Sequence, residues 1–348
     1  MTRRFEAASG TLDAREGVLL ELRDADGVSG VGEASPMASL GGGTHEDVLR
    51  LLEQHGAAFD GLPQEGPGVA ALRCAVDTAL LDLEGRASGR SVAALLTEPE
   101  GDVPAPAVQV NAVLGDGSPA DVAAYAQQAV QAGYEVLKLK VGVGTLEHDL
   151  ARVSAVREAC PDAVVRLDAN GAWDEAVAGE AIERLATAGV ELLEQPVVAA
   201  DVEAFARLRE RAAFRLAADE AVASPSLAAR VIELRAADLL VLKPMVLGGI
   251  RPALALARRA ALAGIGSFVT TTFDSSVGTA AALHLAAALP WDAAQGLGTG
   301  DHIARDVVAT PLRPAGGSLA VGGPGLGVAL DDAALAEVAT DEWRELRV

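Results

Sequence analysis

The sequence predicts an α/β protein built around a (β/α)-barrel. From about residue 106, short β-rich runs alternate with alanine-rich helical segments, a pattern typical of parallel βαβ units. The alternation recurs about eight times within roughly 200 residues, which is the repeat number of a barrel. A doubly wound open sheet is the alternative, but the glycine-rich dinucleotide-binding turn expected after its first strand is missing.

Each predicted barrel strand ends in polar or glycine residues. The clear runs are 106–115, 134–142, 163–171, 190–197, 214–222, 238–245 and 266–276, and a weaker eighth covers 293–300. Between them, Ser118-Pro119 and Ser224-Pro225 have the pattern of a helix N-cap followed by proline at the first helical position. Gly133 and Gly189 have the pattern of C-terminal caps. These signals place the helices between the strands.

The first hundred residues follow a different pattern. Residues 18–36 resemble two strands joined at Asp26-Gly27, a strong hairpin signal. Helical stretches are predicted at about 45–60 and 69–86. Before them, the run Gly41-Gly42-Gly43 fits either a mobile lid over a site or a plain surface turn.

These patterns divide the chain into two domains. We predict an α+β module over residues 1–104, rejoined by the glycine-rich stretch 317–348, and a barrel over residues 105–316. The C-terminal stretch is too short to fold alone, so it is expected to pack back on the N-terminal module.

Composition narrows the function classes. The 348 residues carry 28 basic and 49 acidic side chains, a net charge of −21, so nucleic acid and anionic membranes are poor partners. No apolar run is long enough to span a membrane, and the N-terminus lacks the apolar core of a signal peptide. Two widely spaced cysteines, Cys74 and Cys160, indicate a reducing cytoplasm rather than a disulfide framework. The alanine-rich helices are compatible with an oligomer, and the acidity with a salt-adapted source.

Three carboxylates end consecutive predicted strands. Asp168, Glu194 and Asp219 are spaced by about one βα unit, so they should lie side by side at the C-terminal face of the barrel. They would repel one another unless a cation lay between them. Oxygen-only ligands suit Mg²⁺, with Mn²⁺ as a substitute, and no histidine occupies these strand ends to favour zinc.

The lysines flank these acids. Only three of the 28 basic residues are lysines, namely Lys138, Lys140 and Lys243, and lysine can lose its proton where arginine cannot. Lys138 and Lys140 are two apart on one strand and share the barrel interior, where each is expected to lower the pKa of the other. Lys243 ends a strand roughly across the barrel. Lysines facing each other over a metal suggest proton abstraction next to a carboxylate.

The series KLK, DAN, EQP, DE and KP at these spacings resembles the enolase superfamily, muconate-lactonizing subgroup, over nearly the whole chain. GVGEASP (30–36), ALLDLEGRASG (79–89) and GGPGLGV (322–328) resemble that family's capping motif, capping helix and C-terminal return. The resemblance implies a (β/α)7β TIM-like barrel with an α+β capping domain built from the N-terminal region and the C-terminal tail. The mandelate-racemase branch has a histidine near the end of strand seven, and VTTTFDSS has none.

The resemblance also assigns roles to the residues of the predicted site. It implies Asp168, Glu194 and Asp219 as Mg²⁺ ligands, Lys140 as the base, Lys138 as its modulator and Lys243 as the opposing lysine. TTTFDSSVG (270–278) and QGLGTG (295–300) resemble the o-succinylbenzoate synthases, with Asp274 where that family commonly has glutamate. The substrate contacts so predicted are Asn170, Ser275, Ser276, Gly298 and Thr299.

This resemblance implies a carbon–oxygen lyase of menaquinone biosynthesis. The expected reaction is Mg²⁺-dependent dehydration of 2-succinyl-6-hydroxy-2,4-cyclohexadiene-1-carboxylate to o-succinylbenzoate through an enediolate. The alternative is a dipeptide or N-acylamino acid epimerase or racemase on the same lysine–metal frame, although GLGTGD lacks the Asp-x-Asp that dipeptide epimerases usually carry at strand eight. A metal-independent aldolase with a Schiff base on Lys243 and a non-catalytic binding barrel are the other classes considered.

Overall fold

The computed structural model describes residues 5–7, 10–12, 14–290 and 293–346. The prediction that the chain has no signal peptide concerns the N-terminal segment, most of which lies outside these described residues. Within them, no helix is long and apolar enough to cross a membrane. Cys74 and Cys160 are both buried, and neither forms a disulfide.

The N-terminal module is an antiparallel hairpin covered by helices. Its strands are β1 (Phe5–Ala7), β2 (Gly10–Leu12), β3 (Val18–Arg23) and β4 (Ser29–Ala34), and its helices are α1 (His45–His55), α2 (Val69–Ser88) and α3 (Val92–Thr97). β3 pairs with β4 across the turn at Asp26-Gly27, as predicted. α2 packs so closely on β4 that a Cβ at Gly32 would lie 1.9 Å from the Ala75 carbonyl oxygen.

The barrel strands form one parallel sheet in chain order. A short strand β5 (Ala107–Gln109) precedes them, and they are β6 (Ala112–Leu114), β7 (Val136–Lys140), β8 (Val164–Asp168), β9 (Val190–Glu194), β10 (Arg215–Ala218), β11 (Leu239–Leu242) and β12 (Gly266–Val269). The weak eighth run makes only single bridges, from Gln295 to Val110 and from Gly296 to Thr270. These bridges link the first and last regions of the sheet, which closes the barrel.

Helices follow the strands and cover the sheet. They are α4 (Pro119–Gln131), α5 (Leu146–Ala159), α6 (Glu175–Leu185), α7 (Val202–Arg211), α8 (Pro225–Leu234), α9 (Pro244–Leu247), α10 (Ile250–Leu262) and α11 (Ser276–Ala288). Ser118 caps α4 through a capping box, as its sequence predicts. Ser224 holds the N-cap position of α8, but its hydroxyl lies 2.9 Å from the Ser226 hydroxyl rather than on a backbone amide.

The C-terminal stretch contacts both the start of the barrel and, as predicted, the N-terminal module. Its strand β13 (Ser318–Ala320) pairs with β5, and a last helix α12 (Asp332–Val338) follows. The Leu326 amide donates to buried Asp82 on α2 at 2.7 Å, and Arg86 donates to the Val328 carbonyl at 2.6 Å. The capping helix and the tail are therefore joined by charged hydrogen bonds.

Candidate active site

Three buried carboxylates meet at the C-terminal ends of the barrel strands. Asp168 ends β8, Glu194 ends β9 directly beside it, and Asp219 follows β10. One oxygen from each lies within 4.8 Å of the others. Oε1 of Glu194 is buried and has no hydrogen-bond partner among the described residues. An all-oxygen cluster with a spare buried acceptor fits a hard divalent cation such as Mg²⁺.

The three lysines surround this triad. Nζ of Lys138 lies 2.5 Å from Glu194 Oε2 and 2.9 Å from Asp168 Oδ2. Nζ of Lys140 lies 2.6 Å from the same Asp168 oxygen, and Lys243 donates to Asp219. Lys140 and Lys243 thus contact the two outer carboxylates of the triad, and Lys138 lies between two of its members.

Attraction to the carboxylates changes the expected ionisation of the lysines. Burial disfavours the charged form of Lys138, but the charges of Asp168 and Glu194 outweigh burial and raise its pKa. The pKa of Lys243 is also raised, because Asp219 and Glu220 offset its burial. The prediction that the paired lysines lower one another's pKa is therefore wrong for Lys138, since it considered only the neighbouring cation.

Asn170 connects the base lysine to a further acid. Its Oδ1 accepts from Lys140 Nζ at 2.8 Å, and its Nδ2 donates to Glu220 Oε1 at 3.0 Å. Burial, with the neighbouring charge of Asp219, raises the pKa of Glu220 to about 7. Sequence reasoning did not single out Glu220, although the adjacent acids in ADEA were the available signal. The predicted substrate contact of Asn170 stays a prediction, and in this structure its amide holds two protein groups.

The loop before α1 reaches this end of the barrel. Leu40, beside the triple-glycine run, lines a cavity with Glu220, Lys243 and Val246. This position is compatible with the predicted lid, and both the lid and the plain surface turn stay predictions.

The two serines predicted to bind substrate contact protein carboxylates instead. The Ser275 hydroxyl donates to Glu33 of β4 at 2.5 Å, and the Ser276 hydroxyl donates to Asp306 at 2.7 Å. Between them and the barrel, Asp274 accepts from the Thr272 hydroxyl at 2.6 Å. Burial and the nearby charge of Glu33 raise the pKa of Asp274 to about 6. Substrate binding by Ser275 and Ser276 stays a prediction, but each hydroxyl already has a strong acceptor.

Small and neutral residues line the end of the eighth run. The Thr299 hydroxyl lies 2.6 Å from the Thr271 hydroxyl, and a Cβ at Gly298 would lie 3.3 Å from the Asn111 carbonyl oxygen. Residues 293–300 contain no aspartate or glutamate. The predicted substrate contacts Gly298 and Thr299 therefore lie on a neutral stretch, and Asp301, which follows Gly300, lies 3.5 Å from Arg313.

Comparison with known proteins places the chain among enzymes of one architecture. Residues 121–334 match the family model "Enolase C-terminal domain-like", and residues 1–97 match "Mandelate racemase / muconate lactonizing enzyme, N-terminal domain". A hydrophobic dipeptide epimerase of Enterococcus faecalis is 32% identical over 298 residues, which cover 82% of each chain.

Solved structures agree with this assignment and confirm the barrel with its separate capping domain. Muconate lactonizing enzyme from Pseudomonas fluorescens has a TM-score of 0.87 at 30% identity, covering 96% of this chain and 94% of that one. N-succinyl Arg/Lys racemase from Bacillus cereus has 0.89 at 26%, covering 97% and 94%. A dipeptide epimerase from Enterococcus faecalis with Mg and L-Leu-L-Tyr has 0.86 at 29%, covering 94% and 96%.

Proposed function

Because this chain belongs to the enolase superfamily, we propose that it inverts the configuration at the carbon next to a carboxylate in an N-acylamino acid or dipeptide. The observation that supports this most strongly is the placement of Lys140 and Lys243. Lys140 ends β7 and contacts Asp168, whereas Lys243 follows β11 and contacts Asp219. Four strand steps separate them across the metal-binding triad. This arrangement suits proton removal from one face of a substrate and proton return to the other.

Asp168, Glu194 and Asp219 would hold the divalent cation, since their buried oxygens converge and Glu194 Oε1 is unpaired among the described residues. Such a cation, when bound, stabilises negative charge on the substrate carboxylate. Neutral Lys140 takes the proton from the α carbon, and the electron pair of the broken C–H bond stays on the substrate. Charged Lys243 then gives its proton to the opposite face. Lys138 stays charged between Asp168 and Glu194, which fixes both carboxylates.

The neutral end of the eighth run favours an acylated substrate nitrogen. A free ammonium group would need a carboxylate there; residues 293–300 supply none, and Asp301, which follows them, is paired with Arg313 at 3.5 Å. We therefore place N-acylamino acids ahead of dipeptides with a free amino terminus. The relatives named for dipeptides and for an N-succinyl amino acid are compatible with both.

The second candidate is the dehydration that yields o-succinylbenzoate. The contact of Lys243 with Asp219 is compatible with it, because that reaction needs a lysine that stays charged beside the substrate and moves no proton. Lys140 alone would remove the proton and then protonate the departing hydroxide. The glycine-rich end of the eighth run suits this substrate equally.

The deciding experiment is proton exchange in D₂O. Purified protein with Mg²⁺ is given each stereoisomer of a panel of N-acylamino acids and dipeptides, and α-deuterium incorporation and inversion are followed by NMR and chiral chromatography. A parallel ultraviolet assay uses the cyclohexadiene substrate, and both assays are repeated with EDTA. Metal-dependent inversion supports the epimerase. Rapid loss of the diene absorbance without inversion of any panel member supports the synthase and contradicts the epimerase.

A further inference from the structure

A buried arginine lies behind the strand that carries the base. Arg152 of α5 is 1% exposed, and its Nη1 donates to the backbone carbonyl of Lys140 at 2.9 Å. The same nitrogen lies 3.3 Å from Asp149 Oδ1, and Nη2 lies 3.3 Å from Asp116. Nε has no hydrogen-bond partner among the described residues. Burying a guanidinium whose N–H groups are not all hydrogen-bonded costs free energy. Stability alone therefore does not explain why Arg152 is buried against Lys140.

Its neighbour on α5 holds the same turn from the other side. Asp149 is 2% exposed, and its Oδ2 accepts from the Gly142 amide at 2.7 Å. Asp149 and Arg152 therefore form a buried ion pair whose members contact the residues on either side of Val141.

Three consecutive residues, the last of β7 and the two that follow it, are thus fixed by separate hydrogen bonds. The Lys140 carbonyl accepts from Arg152, the Val141 amide donates to the Asp168 carbonyl at 2.9 Å, and the Gly142 amide donates to Asp149. Gly142 has a φ of 88°, which residues other than glycine rarely adopt, so the conformation of this turn depends on glycine at this position. The backbone that carries the Lys140 side chain has little freedom to rotate.

We propose that Arg152, paired with Asp149, is a positioning residue that directs the Lys140 side chain at Asp168 and Asn170. Holding the Lys140 carbonyl fixes the peptide plane after the lysine, and this in turn fixes the direction of its Cα–Cβ bond. Nζ can then lie 2.6 Å from Asp168 and 2.8 Å from Asn170. The role in catalysis rests on the proposed function, in which Lys140 removes the α proton.

The backbone of Lys243 is held by hydrogen bonds that do not involve Arg152. Its carbonyl accepts from the Val246 and Leu247 amides at 3.0 and 2.9 Å, within the turn that begins α9. A change at Arg152 should therefore disturb Lys140 and leave Lys243 in place.

The test uses the scarcity of lysine in this chain. Because the sequence has only three lysines, brief acetylation with isotope-labelled acetic anhydride and mass spectrometry reports the reactivity of each one. The variants are Arg152→Met and the isosteric Asp149→Asn, which keeps the shape and an acceptor for Gly142. The matched control is Arg157→Met on the same helix, because Arg157 donates to the Ala163 and Gly189 carbonyls at 2.7 and 2.9 Å, away from Lys140.

Loosening one charged hydrogen bond should raise the reactivity of Lys140 relative to Lys243 about fivefold in Arg152→Met, and by less in Asp149→Asn. In Arg157→Met the ratio should stay unchanged even if the melting temperature falls. An unchanged ratio in both test variants would overturn the proposal, and so would an equal change in the control. The labelling needs no substrate, so it decides the positioning role even if the wild type inverts no panel compound.

A second readout applies once a substrate is found. In D₂O, Arg152→Met should lose α-proton exchange from the stereoisomer whose proton Lys140 removes. Exchange from the opposite stereoisomer, where Lys243 removes the proton, should persist without inversion. Equal loss from both stereoisomers would indicate a general structural defect and contradict the positioning role.

Discussion

Two sets of three buried carboxylates lie near the C-terminal strand ends, and their partners differ in kind. The proposed metal-binding triad of Asp168, Glu194 and Asp219 faces lysine ammonium groups. A second set, the junction carboxylates Glu33, Asp274 and Asp306, faces mainly hydroxyls and backbone amides. Among the described residues, the cations nearest to this second set are Arg15, at 3.9 Å from Asp274, and Arg313, at 3.8 Å from Asp306.

The difference in partners fits a catalytic role for the triad and a structural role for the junction carboxylates. Lysine partners can exchange protons, so the proposed reaction can use the groups that contact the triad. Glu33, by contrast, accepts from the Ser35 and Ser275 hydroxyls and from the Ser275 and Gly278 amides. A carboxylate bonded in this way holds the start of α11 to the capping hairpin. Both sets are rich in buried charge, but among the described contacts only the triad has the lysine partners that the proposed reaction requires.

The largest expected effect is a loss of the inversion rate when a lysine beside the triad is replaced. Lys140→Met and Lys243→Met should each lower the rate of inversion by roughly 10²–10⁴-fold, because each removes a proton-transfer group. If the enzyme is an epimerase, each variant should retain deuterium exchange from one stereoisomer only, and the two variants should retain opposite ones. Exchange is followed by NMR for both stereoisomers of an active substrate. Exchange from the same stereoisomer in both variants would contradict the assignment of the two lysines to opposite faces.

The next largest effect should be on stability at the junction. Glu33→Ala removes an acceptor from two amides and two hydroxyls and leaves several buried donors unpaired, which should cost roughly 3–5 kcal/mol of unfolding free energy. Urea unfolding measures the loss, with Glu33→Gln as the control that keeps one acceptor oxygen and should lose less. Unchanged stability together with lost activity would move Glu33 from the junction to the active site.

The two regions also differ in how far the sequence predicts them. Asp168, Glu194 and Asp219 recur at the βα spacing, so a local pattern sufficed to bring them together, and the lysines stood out by their rarity. Glu33 and Ser275 are separated by 242 positions, and nothing in either local sequence reports that the capping hairpin contacts α11. The sequence-based prediction that Ser275 and Ser276 contact substrate could therefore not take these carboxylate contacts into account. The sequence does not single out Arg152, because arginines are common in the predicted helices. Only the fold shows that this arginine contacts the Lys140 backbone.

Asp274 makes the junction sensitive to pH. Its pKa is raised to about 6 by burial and the charge of Glu33, above the value of about 4 for an exposed aspartate. A raised pKa means that its contribution to stability is present below pH 4 and is lost as the pH rises through 6. In Asp274→Asn this loss is absent. The unfolding free energy of the variant relative to wild type should therefore rise between pH 4 and pH 7 by up to about 3 kcal/mol. A pH-independent difference would show that Asp274 ionises normally.

The smallest effects test whether the serines belong to the junction or to a substrate site. Ser275→Ala and Ser276→Ala each remove one hydroxyl donor from a buried carboxylate, Glu33 or Asp306, at an expected cost of about 1–2 kcal/mol in stability. The KM for an active substrate should stay within about twofold, because each hydroxyl already donates to a protein carboxylate. Thr299→Ala is a suitable comparison, since its hydroxyl pairs only with Thr271 among the described contacts. A serine variant of unchanged stability and raised KM would place that hydroxyl on the substrate. It would also show that the junction carboxylates release their donors when substrate binds, which would remove the distinction between the two regions.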